Sequence, residues 1–273
     1  MRLSIIITTF NWPEALLLVL KSVIPQLPAK SEIIIADDGS NIENQRLIKN
    51  FIATQQQLPI HYVWQENKGF RAAKIRNKAI MKASGNYCIF LDGDSIPKQG
   101  FISNHLKLQQ IKCMVAGNRV LLSKNFSRDL LNNPYDISKL KLISWILLRI
   151  KKSINRLSPL LFLPGNKWRI KKGLAWRNIK TCNLGVWRSD LIEVNGFDEE
   201  FTGWGYEDSE LAIRLLRIGC LHTSAKFAAP ILHLWHPENS RINHDKNKKL
   251  LEQRIDVALA KPKLGLDQYS HTT

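Results

Sequence analysis

The chain is short of acid. Its 40 Lys and Arg outnumber 23 Asp and Glu, giving a formal net charge of +17. That balance points to an anionic partner: nucleic acid, an anionic membrane, or phosphorylated small molecules. The plain alternative is a basic surface that only aids solubility. Cysteine is also scarce. Cys88, Cys113, Cys182 and Cys220 are the four present, none at close ligand spacing. A disulfide framework or a zinc site is therefore not expected, and reduced thiols are. No uninterrupted apolar run reaches the roughly 20 residues of a bilayer-spanning helix. The opening MRLSIIITTF lacks the long hydrophobic region and small-residue cleavage site of a secretory signal, and reads as a first strand. There is no internal repeat and no low-complexity tract. With 273 residues, 44% of them hydrophobic, the chain has enough for one large domain or two small ones with a real core.

Strand and helix patterns alternate along the first 118 residues. Strands are expected at 3–9, 32–36, 60–64, 87–91 and 112–117, and helices at 13–23, 41–54 and 70–83. Such alternation implies a parallel sheet covered on both faces. Ligands of such sheets bind at the carboxyl ends of the strands. The polar clusters TTFN, DDGS and DGDS all fall at those ends.

The stretch NYCIFLDGDSIP ends a strand in Asp92 and Asp94. Residues i and i+2 of an extended chain share a side, so two carboxylates would stand together. Asp-Gly also marks ordinary turns. The alternative is a divalent cation, Mg²⁺ or Mn²⁺, which suits carboxylate oxygens and grips phosphates. Asp37 and Asp38 could serve a turn or a helix cap, or accept from a ribose or base. Arg71 opens a helix in NKGFRAAKIRNKAI, where an anion could bind, with Lys74 and Lys78 following. GWGYEDSEL places Glu207 and Asp208 at a helix start. The helix dipole alone accounts for acid there, but Trp204 offers a flat face for a sugar and a carboxylate could act as a general base. In HLWH, His233 and His236 are three apart. On a strand those positions face opposite sides, so one of the two is expected to reach a shared site. An imidazole beside the aspartates would shift the preference towards Mn²⁺.

Together SIIITTFNWPEAL, IIIADDGS, QENKGFRAAKIRNKAI, FLDGDSIP, TCNLGVWRSDL and GFDEEFTGWGYEDSELAIRLLRIG carry a likeness. The chain resembles a family 2 glycosyltransferase of the GT-A fold, an α/β fold with a Rossmann-like, mostly parallel central sheet and helices on both faces. Its second half is similar to the galactosyltransferase-type region of β-1,4-galactosyltransferases and bacterial chondroitin-type polymerases. The resemblance implies that Thr8, Phe10, Asp38 and Arg71 line the nucleotide pocket. It makes Asp92 and Asp94 a DxD motif, with Asp94 on the metal and Asp92 towards the ribose. His233 would be the metal's distant ligand, and Asn183, Trp204 and Glu207 would line the sugar and acceptor pocket. Asp208 would be the base of an inverting displacement, moving a hexose or N-acetylhexosamine from a UDP-sugar to a glycan or lipid-linked glycan hydroxyl, in surface polysaccharide synthesis. Tyr206 stands where many relatives carry a small residue, which leaves UDP-galactose, UDP-N-acetylgalactosamine and UDP-N-acetylglucosamine all open.

The likeness divides the chain into a nucleotide-sugar half at 1–118, a segment at 119–179, an acceptor half at 180–243 and a helical, then polar tail at 244–273. In KLKLISWILLRIKKSINRL, Ile143, Leu147, Ile150 and Ile154 form one helical face, with Arg149, Lys152 and Arg156 on another. That fits a basic amphipathic helix on an anionic membrane, or a surface helix packed on the core. NKWRIKKGLAWRNIK adds basic and aromatic residues. The expected location is cytoplasmic, either free or, if the amphipathic helix docks, peripheral on the inner face of the cytoplasmic membrane. A nucleotidyltransferase is the enzymatic rival. A nucleic-acid-binding protein is the non-enzymatic one, but no zinc-finger, helix-turn-helix or aromatic ribonucleoprotein signature supports it.

Overall fold

The computed structural model describes residues 1–165, 167–171, 175–238 and 240–269. Asn166 and residues 172–174 of the basic, aromatic stretch, Asn239, and residues 270–273 of the tail lie outside them. Three βα units open the chain: β1 (Leu3–Thr9), α1 (Pro13–Val23), β2 (Ser31–Asp37), α2 (Ile42–Ala53), β3 (Ile60–Trp64) and α3 (Ala72–Lys82). Pro13 begins α1, where its missing N–H costs nothing. Asn41 caps α2 by accepting from the Asn44 N–H at 2.9 Å. Then come β4 (Tyr87–Asp92), β5 (Ser95–Pro97), α4 (Phe101–Leu108), β6 (Cys113–Ala116), β7 (Arg119–Leu121), α5 (Lys124–Asn132) and α6 (Leu142–Ile150). The remainder is β8 (Ile170–Lys171), β9 (Asn183–Trp187), α7 (Arg188–Glu193), α8 (Glu207–Arg217), β10 (Leu221–Ser224), β11 (Ile231–His233) and α9 (His244–Asp256).

Among the described residues the main sheet has eight strands, in the order β3-β2-β1-β4-β9-β6-β10-β8. β1, β2, β3 and β4 run parallel, as do β6 and β10, while β9 runs against both neighbours. Residues 180–243 thus add β9 and β10 to the sheet begun by residues 1–118. Side chains alternate across it. Ile5, Ile7, Ile33 and Ile35 pack with Leu16, Val19, Ile48 and Phe101 on one face. Ile6, Ile34 and Phe90 pack with Ala73, Ile80, Leu211 and Leu215 on the other. Both faces are helix-covered, which is why these strands read as continuous apolar runs. The chain reverses direction of sheet growth at β1, with β2 on one side and β4 on the other, so a crevice opens beyond their carboxyl ends. A second sheet, β5-β11-β7, pairs β11 antiparallel with β5 and parallel with β7.

One helix is shorter than its sequence pattern. α6 stops at Ile150, and Lys152 takes a left-handed φ of 56°. The chain then returns as a bridge between Ile154 and Leu122, with the Ser123 N–H donating to the Ser153 carbonyl at 2.9 Å. Ile154 is therefore not on the helical stripe. It is 1% exposed in the core, whereas Ile143, Leu147 and Ile150 are 62%, 51% and 71% exposed. The inward side of α6 is Trp145, whose Nε1 donates to the Leu140 carbonyl at 2.9 Å. No helix among the described residues is long and apolar enough to cross a membrane.

Candidate active site

Three strand ends meet at the crevice. Beyond β2, Asp37 builds the turn: it accepts from the Gly39 N–H at 3.1 Å, the Ser40 N–H at 2.8 Å and the Tyr62 hydroxyl at 2.5 Å. Asp38 faces the cavity and is held from both sides. Its Oδ1 accepts from Gln65 Nε2 at 2.6 Å and its Oδ2 from the Arg71 N–H at 2.7 Å. Burial raises its carboxyl above the usual range against these bonds. Arg71 contributes through that backbone N–H. Its guanidinium turns to the Glu66 carbonyl, outside the lining of the cavity, so of the residues expected at the nucleotide Arg71 reaches the cavity only through its hold on Asp38. Thr8 and Phe10 do line it.

The cation at the centre is Arg76, which the sequence patterns did not single out. Buried on α3, it reaches Asp92 at 3.3 Å, Glu207 at 3.2 Å and Asp208 at 3.7 Å, and donates through Nε to Thr8 Oγ1 at 3.2 Å. One guanidinium thus ties β1, β4 and α8 together. Three carboxylates around one cation leave negative charge in excess. Burial pushes the Asp92 carboxyl up to about 6 with Asp94 and Asp208 adding and Arg76 opposing. It pushes Glu207 up to about 7, again with Asp208 adding and Arg76 opposing.

Asp92 and Asp94 part company. Strand pairing ends at Asp92 and the Gly93 N–H donates to the Thr8 carbonyl at 2.7 Å, so the chain turns and the same-side rule lapses. Asp94 meets histidines instead: His233 Nε2 at 3.6 Å and His236 Nε2 at 3.3 Å. Both imidazoles reach it, against the expectation of one. β11 ends at His233, so the alternation of an extended chain does not extend to His236. The Leu234 N–H donates to the Asp94 carbonyl at 2.9 Å and fixes the approach. One ligand atom from each of the three side chains lies within 4.8 Å of the other two. Burial lowers the His233 pKa, which favours the neutral ring with a lone pair to offer.

The GWGYED loop forms the facing wall. Gly203 and Gly205 take φ of 75° and 109°, accessible to glycine without a Cβ clash. The loop rests on α9: Trp204 stacks with His244 at 6.2 Å, and the Tyr206 hydroxyl pairs with His244 Nε2 at 3.2 Å. Asp208 stands in the first turn of α8 and lines the cavity. Its Oδ1 accepts from Thr181 Oγ1 at 2.8 Å and its Oδ2 from the Thr181 N–H at 3.3 Å. Asn183 is elsewhere. Buried in β9, it donates to the Asn118 and Ala229 carbonyls at 3.2 and 2.7 Å and pairs with His105 at 2.9 Å. It joins the two sheets from behind the cavity and does not line it, contrary to its expected sugar contact.

The cavity encloses about 1320 Å³ and brings together Thr8, Phe10, Asp38, Asp92, Asp94, Trp204, Glu207, Asp208 and His233. Residues 4–171 match the family model described as glycosyl transferase family 2. The chain belongs to that family. Residues 166–237 match the model described as the N-terminal domain of galactosyltransferase. Chondroitin synthase of Escherichia coli is 29% identical over 83% of this family 2 chain and 34% of its own length. Validoxylamine A glucosyltransferase of Streptomyces hygroscopicus subsp. limoneus is 26% identical over 78% of the chain and 47% of its own. The chain thus spans half or less of these relatives. Among solved structures, S. aureus TarS with UDP-GlcNAc has a TM-score of 0.63 at 13% identity, covering 98% of this chain and 69% of that one. A Pyrobaculum calidifontis mannosyltransferase with GDP-Man and Mn²⁺ has a TM-score of 0.61 at 18% identity, covering 96% and 65%. The GT-A fold is shared with both.

Proposed function

We propose that this family 2 protein transfers a hexose or N-acetylhexosamine from a UDP-sugar to a glycan hydroxyl, with inversion, in surface polysaccharide synthesis. The observation that carries the reading is the Asp94, His233 and His236 cluster in the same cavity as Asp208. One carboxylate and two imidazoles are a donor set that fits a divalent ion, and the imidazoles favour Mn²⁺ over Mg²⁺. Such an ion, when bound, neutralises charge on the departing diphosphate. The nucleoside lies towards Thr8, Phe10 and Asp38. Asp92, turned to Arg76, keeps the role of facing the ribose. Trp204 and Glu207 border the sugar and acceptor. Asp208, oriented by Thr181, takes the proton of the acceptor hydroxyl while that oxygen attacks the anomeric carbon opposite the leaving diphosphate. Binding both substrates in line supplies the rest of the acceleration.

Two variants test the two roles. Asp94→Ala should remove Mn²⁺-dependent UDP binding in calorimetry. Asp208→Asn should retain it but lose about a hundredfold or more in transfer, the scale of a positioned base. Turnover of Asp208→Asn within a few-fold of wild type would make Asp208 structural and Glu207 the candidate.

The same reading places the enzyme on the cytoplasmic face of an anionic membrane, beside a lipid-linked acceptor. Leu142, Ile143, Leu147 and Ile150 are exposed on α6, with Lys139, Lys141, Arg149, Lys151 and Lys152 around them. Each basic residue near an anionic surface contributes about 1 kcal/mol. Flotation with anionic vesicles at low salt should capture wild type and not the variant with Glu at Arg149, Lys151 and Lys152. Failure of wild type to float would confine α6 to a packing role.

A further inference from the structure

Four cations border the cavity with no carboxylate paired to them among the described residues: Arg119, Lys124, Arg128 and Lys180. All four side chains are exposed. The carboxylates of the cavity are engaged elsewhere. Asp92, Glu207 and Asp208 surround Arg76, Asp94 faces the two histidines, and Glu238 holds Arg241 at 2.8 Å.

These cations are built into a wall. On α5, Lys124, Ser127, Arg128 and Leu131 follow i, i+3, i+4, i+7 spacing, and all four line the cavity. Leu130, on another side, is buried and anchors the helix to the core. The Trp235 N–H donates to Ser127 Oγ at 2.8 Å, which fastens α5 to the segment leaving β11. The Lys124 ammonium stands 4.8 Å over the Trp235 ring, so the charge is held at the wall. Arg119 enters from β7, beside β11. Lys180 precedes Thr181, the residue that orients Asp208. The basic wall therefore borders both the metal-type cluster and the base.

Like charges gathered around one cavity repel, and a bound anion relieves them. The donor diphosphate accounts for only part of this charge, because the Asp94 cluster is already suited to bring a divalent ion to it. We infer that the acceptor is an anionic glycan whose carboxylate or phosphate is recognised by Lys124 and Arg128. This rests on the cavity taking a nucleotide sugar and a glycan, as proposed above, and it narrows the acceptor by charge.

The test is calorimetry on the full chain preloaded with UDP and Mn²⁺. The probes are a uronate-containing tetrasaccharide against its carboxyl-reduced form, and maltotetraose with and without a 6-phosphate. Wild type should bind the anionic member of at least one pair about tenfold or more tightly, the scale of a hydrogen bond to a charged group. The pair that responds identifies the anion. The preference should shrink as salt rises. Lys124→Gln with Arg128→Gln should bring the two members within about twofold, leaving UDP affinity within about twofold of wild type. Equal binding within both pairs, or no binding of either anionic probe, overturns the inference. A double variant that loses UDP as well assigns the cations to the donor and also overturns it. Absence of UDP binding in wild type is a separate result, and it sinks the transferase reading itself.

Discussion

Arg76 and the Lys124–Arg128 pair line one cavity, yet their surroundings are opposite. Arg76 is buried among three carboxylates contributed by β4 and α8. Lys124 and Arg128 are exposed on α5, with no carboxylate paired to them among the described residues. A buried cation with its partners is a clamp: it fixes where its neighbours stand, and removing it strands their charge. An exposed cation facing a cavity is free to meet a ligand, and the fold hardly depends on it. The first wall is finished by the protein itself. The second is left for what binds.

Breaking the clamp should have the largest effect. Arg76→Met leaves Asp92, Glu207 and Asp208 uncompensated and should cost about 3–5 kcal/mol in urea denaturation, the usual scale for a broken buried pair. The Lys124→Gln, Arg128→Gln protein should stay within about 0.5 kcal/mol of wild type. Equal losses in the two would erase the distinction between the walls.

The segment that carries α6 offers the next contrast. Ile154→Ala should cost about 2–5 kcal/mol, since the side chain is buried in the core at the bridge to Leu122. Ile143→Ala, on the exposed face of α6, should change stability by less than about 0.5 kcal/mol. Similar costs would mean that α6 packs more tightly than its exposure implies.

Local patterns carried most of the fold. The strands at Leu3–Thr9 and Ile60–Trp64 and the helix at Pro13–Val23 lie where the periodicity puts them, because each is decided by neighbours in sequence. The turns at Asp38 and Asp94 were equally plain, since strand ends converge by topology. What the sequence hid was pairing across distance. Arg76 is an arginine among Ala72, Ala73, Ala79 and Ile80, on the buried side of α3. That position on an apolar face was the available signal, but its carboxylate partners Glu207 and Asp208 lie about 130 residues on. Asn183 carries the family motif yet serves as a strut, because β9 runs through the middle of the sheet and turns that side chain to the carbonyls behind the cavity. Ile154 kept helical spacing past the point where the helix ends, and spacing alone does not reveal a left-handed residue at Lys152.

A smaller effect separates Glu207 from its neighbours by pH. Facing Asp208 and Arg76, and Asp92 through Arg76, its carboxyl is raised to about 7. A carboxyl raised on folding binds its proton more tightly in the native state. Stability is therefore lost as pH climbs from the unfolded value towards 7, and the loss levels off above it. The slope is at most about 1.4 kcal/mol per pH unit for one proton. Glu207→Gln has no such proton. The difference in melting temperature, variant minus wild type, should rise between pH 5 and 7 and then flatten. A difference that is flat throughout would place the proton on another member of the cluster.

The smallest effect concerns the loop that faces the clamp. Tyr206 precedes α8 at a φ of 76°, a left-handed conformation that a non-glycine residue adopts at a cost of about 1–2 kcal/mol. Its hydroxyl pairs with His244 Nε2, its ring lies 5.2 Å from the imidazole, and Asn247 Nδ2 donates to the adjoining Gly205 carbonyl at 3.1 Å. α9 thus holds the loop in a shape its backbone resists. Tyr206→Phe keeps the ring and deletes one hydrogen bond, so it should cost about 0.5–1.5 kcal/mol, or a melting point lower by a few degrees. Tyr206→Gly removes the bond and the ring contact but also relieves the strain, so it should fall no further than Tyr206→Phe. If the glycine variant melts well below the phenylalanine one, ring packing against His244 outweighs the strain, and α9 holds the wall mainly by contact between the rings.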